Sequence, residues 1–323
     1  MKLRLGTRGS ALAMAQSQQV ADAVTAATGR QVELVEIVTP GDRSSAPVQR
    51  LGVGVFVSAL RDALSAKEID FAVHSYKDLP TAPVDDLVIA AVPPRADPRD
   101  VLVARDGLSL AELPPSSTVG TGALRRIAQL KALGLGLRTT PIRGNIDSRL
   151  RRVASGELDA IVVARAGLDR IGRADAATET LDPMLMLPAP AQGALAVECR
   201  ADDADLIEAL AALDDPATRA AVAAERGLLA QLEAGCSAPV AGLAEIADGE
   251  SGDEIYLRGA VFSEDGRHAI RLSRTGALAD AEQIGRLLAG DLLAAGADRL
   301  FASGFAPETG EADQNDAVPG SAQ

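Results

Sequence analysis

Segments with strand character alternate with segments of helical periodicity from the start of the chain, and this alternation limits the possible folds more than any other feature. Lys2–Thr7 reads as a strand, Gly9-Ser10 as a turn and helix start, and Ala11–Thr28 as a helix. Val32–Val38 supplies a second strand. A loop of small and charged residues runs from Thr39 to Gly54, Val55–Ala66 reads as helix, and Ile69–Val73 as strand. Such an order predicts a mostly parallel sheet covered by helices.

A second unit begins after Pro93-Pro94-Arg95-Ala96-Asp97-Pro98. Val119-Gly-Thr-Gly-Ala-Leu-Arg-Arg126 carries a strand into a helix start, much as Leu5-Gly-Thr-Arg-Gly-Ser10 does earlier. Gly156–Val163 repeats the helix-end-to-strand pattern of Ala66–Val73. Pro188-Ala-Pro-Ala-Gln-Gly193 then reads as a crossing segment, and the apolar run Ala194–Cys199 as a strand that returns to the first unit. Asp203–Leu213 and Pro216–Leu232 read as helices. Short strands over Ala241–Ile246, Ile255–Val261 and His268–Arg274 precede a helix over Ala277–Ala295. The expected architecture is α/β: two similarly wound lobes with mixed, mostly parallel sheets, plus a smaller C-terminal α+β domain. Residues 1–93 with 194–211 form the first lobe, 99–187 the second and 216–306 the third domain. Residues 307–323, poor in apolar side chains and without lysine or arginine, read as a frayed tail.

With 323 residues, 47% of them apolar, the chain can build several cores. Aromatic residues make up only 2% and tryptophan is absent, so alanine, leucine and valine must fill those cores. A formal charge of -13 disfavours nucleic acid and anionic membrane surfaces as partners. The N-terminus lacks the apolar core of a signal peptide, and no stretch reaches membrane-spanning length, so the expected location is cytoplasmic.

Within Asp70-Phe-Ala-Val-His-Ser-Tyr-Lys-Asp-Leu-Pro80 an apolar run meets a polar cluster and is stopped by proline. His74, Ser75, Tyr76, Lys77 and Asp78 therefore fall at a strand end or just beyond it, where open α/β folds keep their ligands. Arginine recurs at loop ends and helix starts: Arg8, Arg125, Arg126, Arg143, Arg149, Arg165 and Arg170. Surface ion pairs are one use for them. The helix start in Gly120–Arg126 combines backbone donors with guanidinium groups, a suitable site for carboxylate or phosphate. Arg143 and Arg149, six apart, face one ligand only if a loop at Arg143 enters a helix near Ile146. Neither a dinucleotide fingerprint nor a triphosphate loop is present. Multiple ligand carboxylates fit better.

Asp78, beside Lys77, is suited to stabilising positive charge on a substrate or to capping a loop. The chain holds two histidines, His74 and His268, which rules out a histidine-rich metal site; no metal is expected. His74 reads as structural. Cys199 ends an apolar strand and reads as a buried thiol. Cys236 sits in the turn-like Leu232-Glu-Ala-Gly-Cys-Ser-Ala-Pro239, where a thiol can be accessible and nucleophilic.

Taken together, Val73–Pro80, Gly120–Arg126, Arg143–Arg149, Pro190–Cys199 and Leu232–Pro239 resemble the porphobilinogen deaminase (hydroxymethylbilane synthase) family, in order over roughly residues 1 to 300. The resemblance implies periplasmic-binding-protein-like lobes and a transferase of porphyrin, tetrapyrrole and heme biosynthesis. It condenses four porphobilinogens head to tail, with water, into hydroxymethylbilane and releases four ammonia molecules. The growing linear pyrrole chain is built on a dipyrromethane cofactor held by a thioether, here to Cys236. Asp78 matches the catalytic aspartate. It would sit near ring N–H groups while ammonia departs, an azafulvene forms and the terminal pyrrole attacks. Arg8, Ser10, Lys77, Thr121, Arg125, Arg126, Arg143, Arg149 and Arg170 fall on positions that bind the cofactor or the substrate's carboxylates, with Ser75, Gly122, Ala123 and Gln192 as additional contacts. A monomer is expected.

Two departures stand out. Gly122 and Ala123 replace serines common in the family after the Gly-Thr pair. Gln49 and Val53 stand where lysines are often found near the loop glycines, with Arg50 at a different position. The competing reading is a cytoplasmic two-lobed module that binds a polycarboxylate without catalysis; Cys236 separates the two. Intact mass of the gently purified protein is expected to show a covalent dipyrromethane adduct that is lost in Cys236→Ser. An unmodified yet fully active protein overturns the anchor.

Overall fold

The computed structural model describes residues 2–38, 55–232, 238–249 and 252–301. In the first lobe, β1 (Leu3–Thr7) is followed by α1 (Ala11–Thr28), which Ser10 starts by accepting the Ala13 N–H at 3.3 Å. Gly29, in the left-handed region at φ 70°, ends it. β2 (Val32–Glu36) then lies parallel to β1 on one side. After α2 (Val55–Ser65), β3 (Phe71–Ser75) lies parallel to β1 on the other side, and β4 (Leu87–Ala91) completes this pass.

The chain enters the second lobe as β5 (Asp100–Ala104). It continues through β6 (Thr118–Gly120), α3 (Leu124–Ala132), β7 (Arg138–Thr140), α4 (Ile146–Ala154), β8 (Ala160–Ala164), α5 (Arg165–Arg170) and β9 (Glu179–Thr180). It then returns as β10 (Leu195–Arg200) and α6 (Ala204–Ala211) to the first sheet.

The two sheets have the orders β2-β1-β3-β10-β4 and β7-β6-β8-β5-β9. Each has four strands running one way and a reversed strand in the fourth place, β10 in the first lobe and β5 in the second. Both reversed strands are the ones that arrive from the other lobe. This shared winding accounts for the two internal echoes in the sequence: Leu5–Ser10 and Val119–Arg126 leave equivalent strands, β1 and β6. Ala66–Val73 and Gly156–Val163 enter equivalent strands, β3 and β8.

Helices cover both faces of each sheet. Leu5, Val20, Val24, Phe71, Leu195 and Leu206 pack on one side of the first sheet, and Leu60, Leu64, Ile69 and Ala72 on the other. The second lobe is built likewise around Leu102, Leu130 and Val162 on one side and Ile161, Val163 and Leu168 on the other. Small aliphatic side chains dominate these cores, and among the described residues Phe71 in the first lobe and Phe262 in the third domain are the fully buried phenylalanines.

The third domain begins with α7 (Pro216–Gln231), continues through the antiparallel strands β11 (Val240–Gly249), β12 (Gly252–Phe262) and β13 (Ala269–Ala277), and ends with α8 (Ala281–Ala294) and α9 (Ala297–Phe301). Its strands extend beyond the apolar runs of the sequence, because the backbone ladder continues residue for residue through exposed positions such as Glu245 opposite Tyr256. β3 likewise reaches Ser75, two residues past the apolar run, since β10 pairs with it up to that point.

The three domains meet at Glu225 of α7, which is fully buried. Its Oε1 accepts from Arg95 Nη1 at 2.7 Å and from the Ala244 N–H of β11 at 2.7 Å; its Oε2 accepts from Arg95 Nη2 at 2.9 Å and from the Ala191 N–H. Arg95 also donates from Nε to Gln192 O at 2.8 Å. Both crossings between the lobes are therefore fastened to one carboxylate. Gly193 (φ 89°) closes the second crossing, where a Cβ would stand 2.4 Å from Ala96 O of the first. Arg95→Leu strands a buried carboxylate and is expected to lower stability by about 3–5 kcal/mol, measured as a fall in the urea midpoint.

Candidate active site

The polar residues singled out in the sequence lie just beyond the carboxyl ends of the parallel strands. Arg8 and Ser10 follow β1, Ser75 ends β3, and the turn Tyr76–Asp78 follows it. Thr121, Gly122 and Ala123 link β6 to α3, Arg143 follows β7, and Arg165 and Arg170 begin and end α5 after β8. α1 packs against α5, so these strand ends of the two lobes face a shared cleft.

Its best-defined wall surrounds Asp100, the first residue of β5. This fully buried carboxylate accepts from Arg125 Nη2 at 2.8 Å, Arg126 Nη2 at 2.7 Å and Gln192 Nε2 at 2.8 Å. Burial alone would raise its pKa, but the Arg125 and Arg126 guanidiniums outweigh burial and hold it well below the usual carboxylate range. Arg125 also donates to Leu187 O, and Arg126 Nη1 to Val162 O at 3.1 Å. Gln192 links this cluster to the first lobe, its Oε1 lying 3.4 Å from both Arg126 Nη2 and Lys77 Nζ.

Lys77 is half-buried, and its pKa is lowered to about 8. Burial is the main cause; Asp78 opposes it and the Arg126 guanidinium adds to it. Asp78 itself is exposed at the end of the turn. Arg149 donates from Nε to Gly144 O at 2.9 Å, and burial, aided by repulsion from Arg126, lowers its pKa to about 10. Arg170 donates from Nη2 to Gly193 O at 2.7 Å, and burial lowers it to about 10 as well. At neutral pH both remain cations.

Lys77, Arg125, Arg126, Arg149 and Gln192 are thus brought together, and Arg170 is tied to the second crossing. Other expected contacts have local duties. Ser10 caps α1, Ser75 Oγ accepts from Gln16 Nε2 at 2.9 Å, and Thr121 is fully buried with its Oγ1 3.5 Å from the Ala123 N–H. Arg143 is exposed, and α4 starts at Ile146 behind the Asn145 cap, the loop-to-helix passage that Arg143 and Arg149 require. At Gly122 a Cβ would stand 2.8 Å from Ile142 O, so a serine there needs a shift of backbone. Ala123, at the N-cap of α3, offers no side-chain acceptor to the helix's first N–H groups.

His74 Nε2 lies 3.0 Å from Glu198 Oε2, a carboxylate that Arg61 also holds, which accounts for it structurally. Cys199 is buried, and burial pushes its thiol up to about 11. Cys236, Gln49, Arg50, Val53 and the tail 307–323 lie outside the described residues. Asp100 has no sequence signal of its own: β5 was not anticipated, and the burial of Arg125 and Arg126 that gives Asp100 its role is set by packing. Arg95 and Glu225 gave none.

Among the described residues, no group of three or more His, Cys, Asp or Glu side chains is placed to hold a metal ion. No described helix is long and apolar enough to cross a membrane. The cleft does fit a polycarboxylate: Arg126 Nε and Arg170 Nε are buried donors without a hydrogen-bond partner, and three cations adjoin the single buried carboxylate of Asp100.

Two family models match the chain: "Porphobilinogen deaminase, dipyromethane cofactor binding domain" over residues 3–208, and "Porphobilinogen deaminase, C-terminal domain" over residues 219–294. The chain is 62% identical over 321 residues to the porphobilinogen deaminase of Nocardia farcinica, covering 98% of this chain and 92% of that one. It is 58% identical over 304 residues to that of Mycobacterium tuberculosis H37Rv, covering 93% and 98%. The chain belongs to the porphobilinogen deaminase family. It is a transferase that joins porphobilinogen units stepwise on a dipyrromethane cofactor held covalently by a cysteine. The enzyme reading of the sequence therefore prevails over the polycarboxylate-binding module. Among solved structures, a periplasmic substrate-binding protein from Coxiella burnetii aligns at 14% identity with a TM-score of 0.43, over 69% of this chain and 96% of that one; the family assignment does not draw on it.

The Lys77 pKa of about 8 sets a sign for pH dependence. Below it the ammonium is charged, and above it the charge is lost unless an anion beside it draws a proton back. The KM for porphobilinogen is expected to rise as pH passes about 8, and Lys77→Gln to flatten that rise, measured by initial rates of ammonia release across pH.

Proposed function

We propose that this chain builds hydroxymethylbilane from four porphobilinogens in the cleft between the lobes, with Asp78 as the charge-stabilising residue and Cys236 as the cofactor anchor. The observation that carries this reading is the meeting of the Lys77-Asp78 turn of one lobe with the Arg125, Arg126 and Asp100 cluster of the other, bridged by Gln192. One negative group stands exposed against a field of buried positive ones. That is the charge pattern required by a substrate with carboxylates at its edge and a transient cation in its ring.

The dipyrromethane group supplies, when bound, the terminal pyrrole to which each new unit is joined. The cationic residues Lys77, Arg126, Arg149 and Arg170 bind acetate and propionate groups, with Arg125 holding Asp100 in register and Arg8 and Arg143 extending the wall from β1 and β7. The unsatisfied Nε donors of Arg126 and Arg170 are suited to carboxylate oxygens. The N-terminus of α3 adds backbone N–H groups beside them. Asp78 faces the ring N–H of the incoming unit, stabilises the positive charge that grows as ammonia leaves, and helps remove the proton released as the new bond restores aromaticity. A carboxylate in this position acts without leaving its turn. Ser10, Ser75 and Thr121 support the walls through the contacts described above.

A net charge of -13 disfavours a nucleic-acid backbone or an anionic membrane surface as partner, and action as a cytoplasmic monomer is part of the same proposal. Asp78→Asn keeps the volume and removes the charge. It is expected to lower kcat for ammonia release roughly 100- to 1,000-fold with KM little changed, while circular dichroism and cofactor mass stay as in the unsubstituted protein. A near-normal kcat removes Asp78 from the chemistry.

A further inference from the structure

Arg226 follows Glu225 on α7 and reaches the Asp78 turn. Its Nη1 donates to Leu79 O at 2.9 Å and its Nη2 to Pro80 O at 2.7 Å. Its Cζ lies 4.6 Å from the centroid of the Tyr76 ring. Asp78 is thus bracketed: the ring under the guanidinium precedes it by two residues, and the two accepting carbonyls belong to the residues that follow it. Val222, one turn earlier on the same face of α7, packs with Ala191, Ala194 and Tyr76.

The turn's own holds are the buried Leu79 side chain, packed with Val57 and Ala196, and two backbone hydrogen bonds. Leu79 N–H donates to Tyr76 O at 3.1 Å, and Tyr76 N–H to Ala194 O at 3.1 Å. Two neighbouring carbonyls and an aromatic face match a planar guanidinium, whose two terminal nitrogens donate in parallel while its face lies on the ring. An ammonium cannot make the same set of contacts.

We infer that Arg226 is a positioning residue for the condensation, through which the third domain fixes the turn that carries Asp78. This rests on the charge-stabilising role proposed for Asp78. A carboxylate that must meet a developing charge has to be held to within a fraction of an ångström, and a misplacement of about 1 Å can cost about 100-fold in rate. Arg226 supplies the restraint from outside the lobe that owns the turn, so the position of Asp78 depends on the docking of α7 as well as on β3.

The test uses the full chain in two measurements. The protein has two tyrosines and no tryptophan, so Tyr256→Phe leaves Tyr76 as its sole tyrosine and the fluorescence then reports the turn. In that background Arg226→Ala is expected to raise acrylamide quenching, because the guanidinium no longer covers the ring; unchanged quenching overturns the clamp. In the kinetic measurement, Arg226→Ala is expected to lower kcat roughly 10- to 100-fold at nearly constant KM, and Arg226→Lys to recover part of it. Adding Arg226→Ala to Asp78→Asn is expected to cost little more than Asp78→Asn alone, as for residues acting through one group. An unchanged kcat, or full additivity with Asp78→Asn, overturns the inference. Where Arg226→Ala gives no folded protein, Arg226→Lys carries both comparisons. Absence of ammonia release from the unsubstituted protein counts against the functional reading instead, and the quenching comparison still decides the clamp.

Discussion

The buried carboxylate of Glu225 is the contact on which the arrangement of the three domains depends. It accepts hydrogen bonds from Arg95 on the first crossing, Ala191 on the second and Ala244 in the third domain's sheet. A charge with no exposure to water is tolerable only when its partner and its remaining lone pairs are all supplied, and here two segments and a strand must be in place to supply them. Its energetic value lies less in net attraction than in what misassembly would cost. A lobe displaced from its crossing leaves the carboxylate without its donors, so the correct relation of lobes and third domain is selected by the penalty on every other one.

A similar logic organises the cleft. Asp100 holds two guanidiniums side by side that would otherwise repel each other, and Gln192 carries that positive field across to Lys77. Lys77 shows the consequence, since burial and neighbouring cations move its titration close to neutral pH. The buried Nε donors of Arg126 and Arg170 and the weakened ammonium of Lys77 are the groups to which the proposed carboxylate binding assigns partners. A protein of net negative charge thus holds a local cluster of cations around one buried acid.

Much of this was legible in the sequence where local chemistry speaks for itself. The Ser10 cap and Gly29 stop mark α1 within a residue, and the passage from Gly120 into Arg125 and Arg126 marks a strand entering a helix. The polar cluster at Asp78 was found because proline ends an apolar run there. β5 and β9 were not anticipated, nor was β4, because strands this short between prolines and loops carry little periodicity. Thr121, a binding position by family resemblance, is fully buried in the turn after β6, a placement decided by packing that no local pattern reveals. Glu225 and Arg226 look like ordinary polar residues of an amphipathic helix. What they do depends on contacts between 19 and 147 positions away, to which helical spacing is blind.

The two reversed strands also bear on how the chain is made. β4 is hydrogen-bonded to the first sheet only through β10, yet the chain runs from Ala91 to Leu195 between them. During synthesis the first lobe emerges early with an open slot beside β3, and must wait about a hundred residues for the strand that fills it. The second lobe has its borrowed strand from the outset, since β5 precedes all its neighbours. The lobe translated second is therefore the first that can close its sheet, and the N-terminal half of the polypeptide is the part most exposed to chaperones and proteases while the ribosome is still at work.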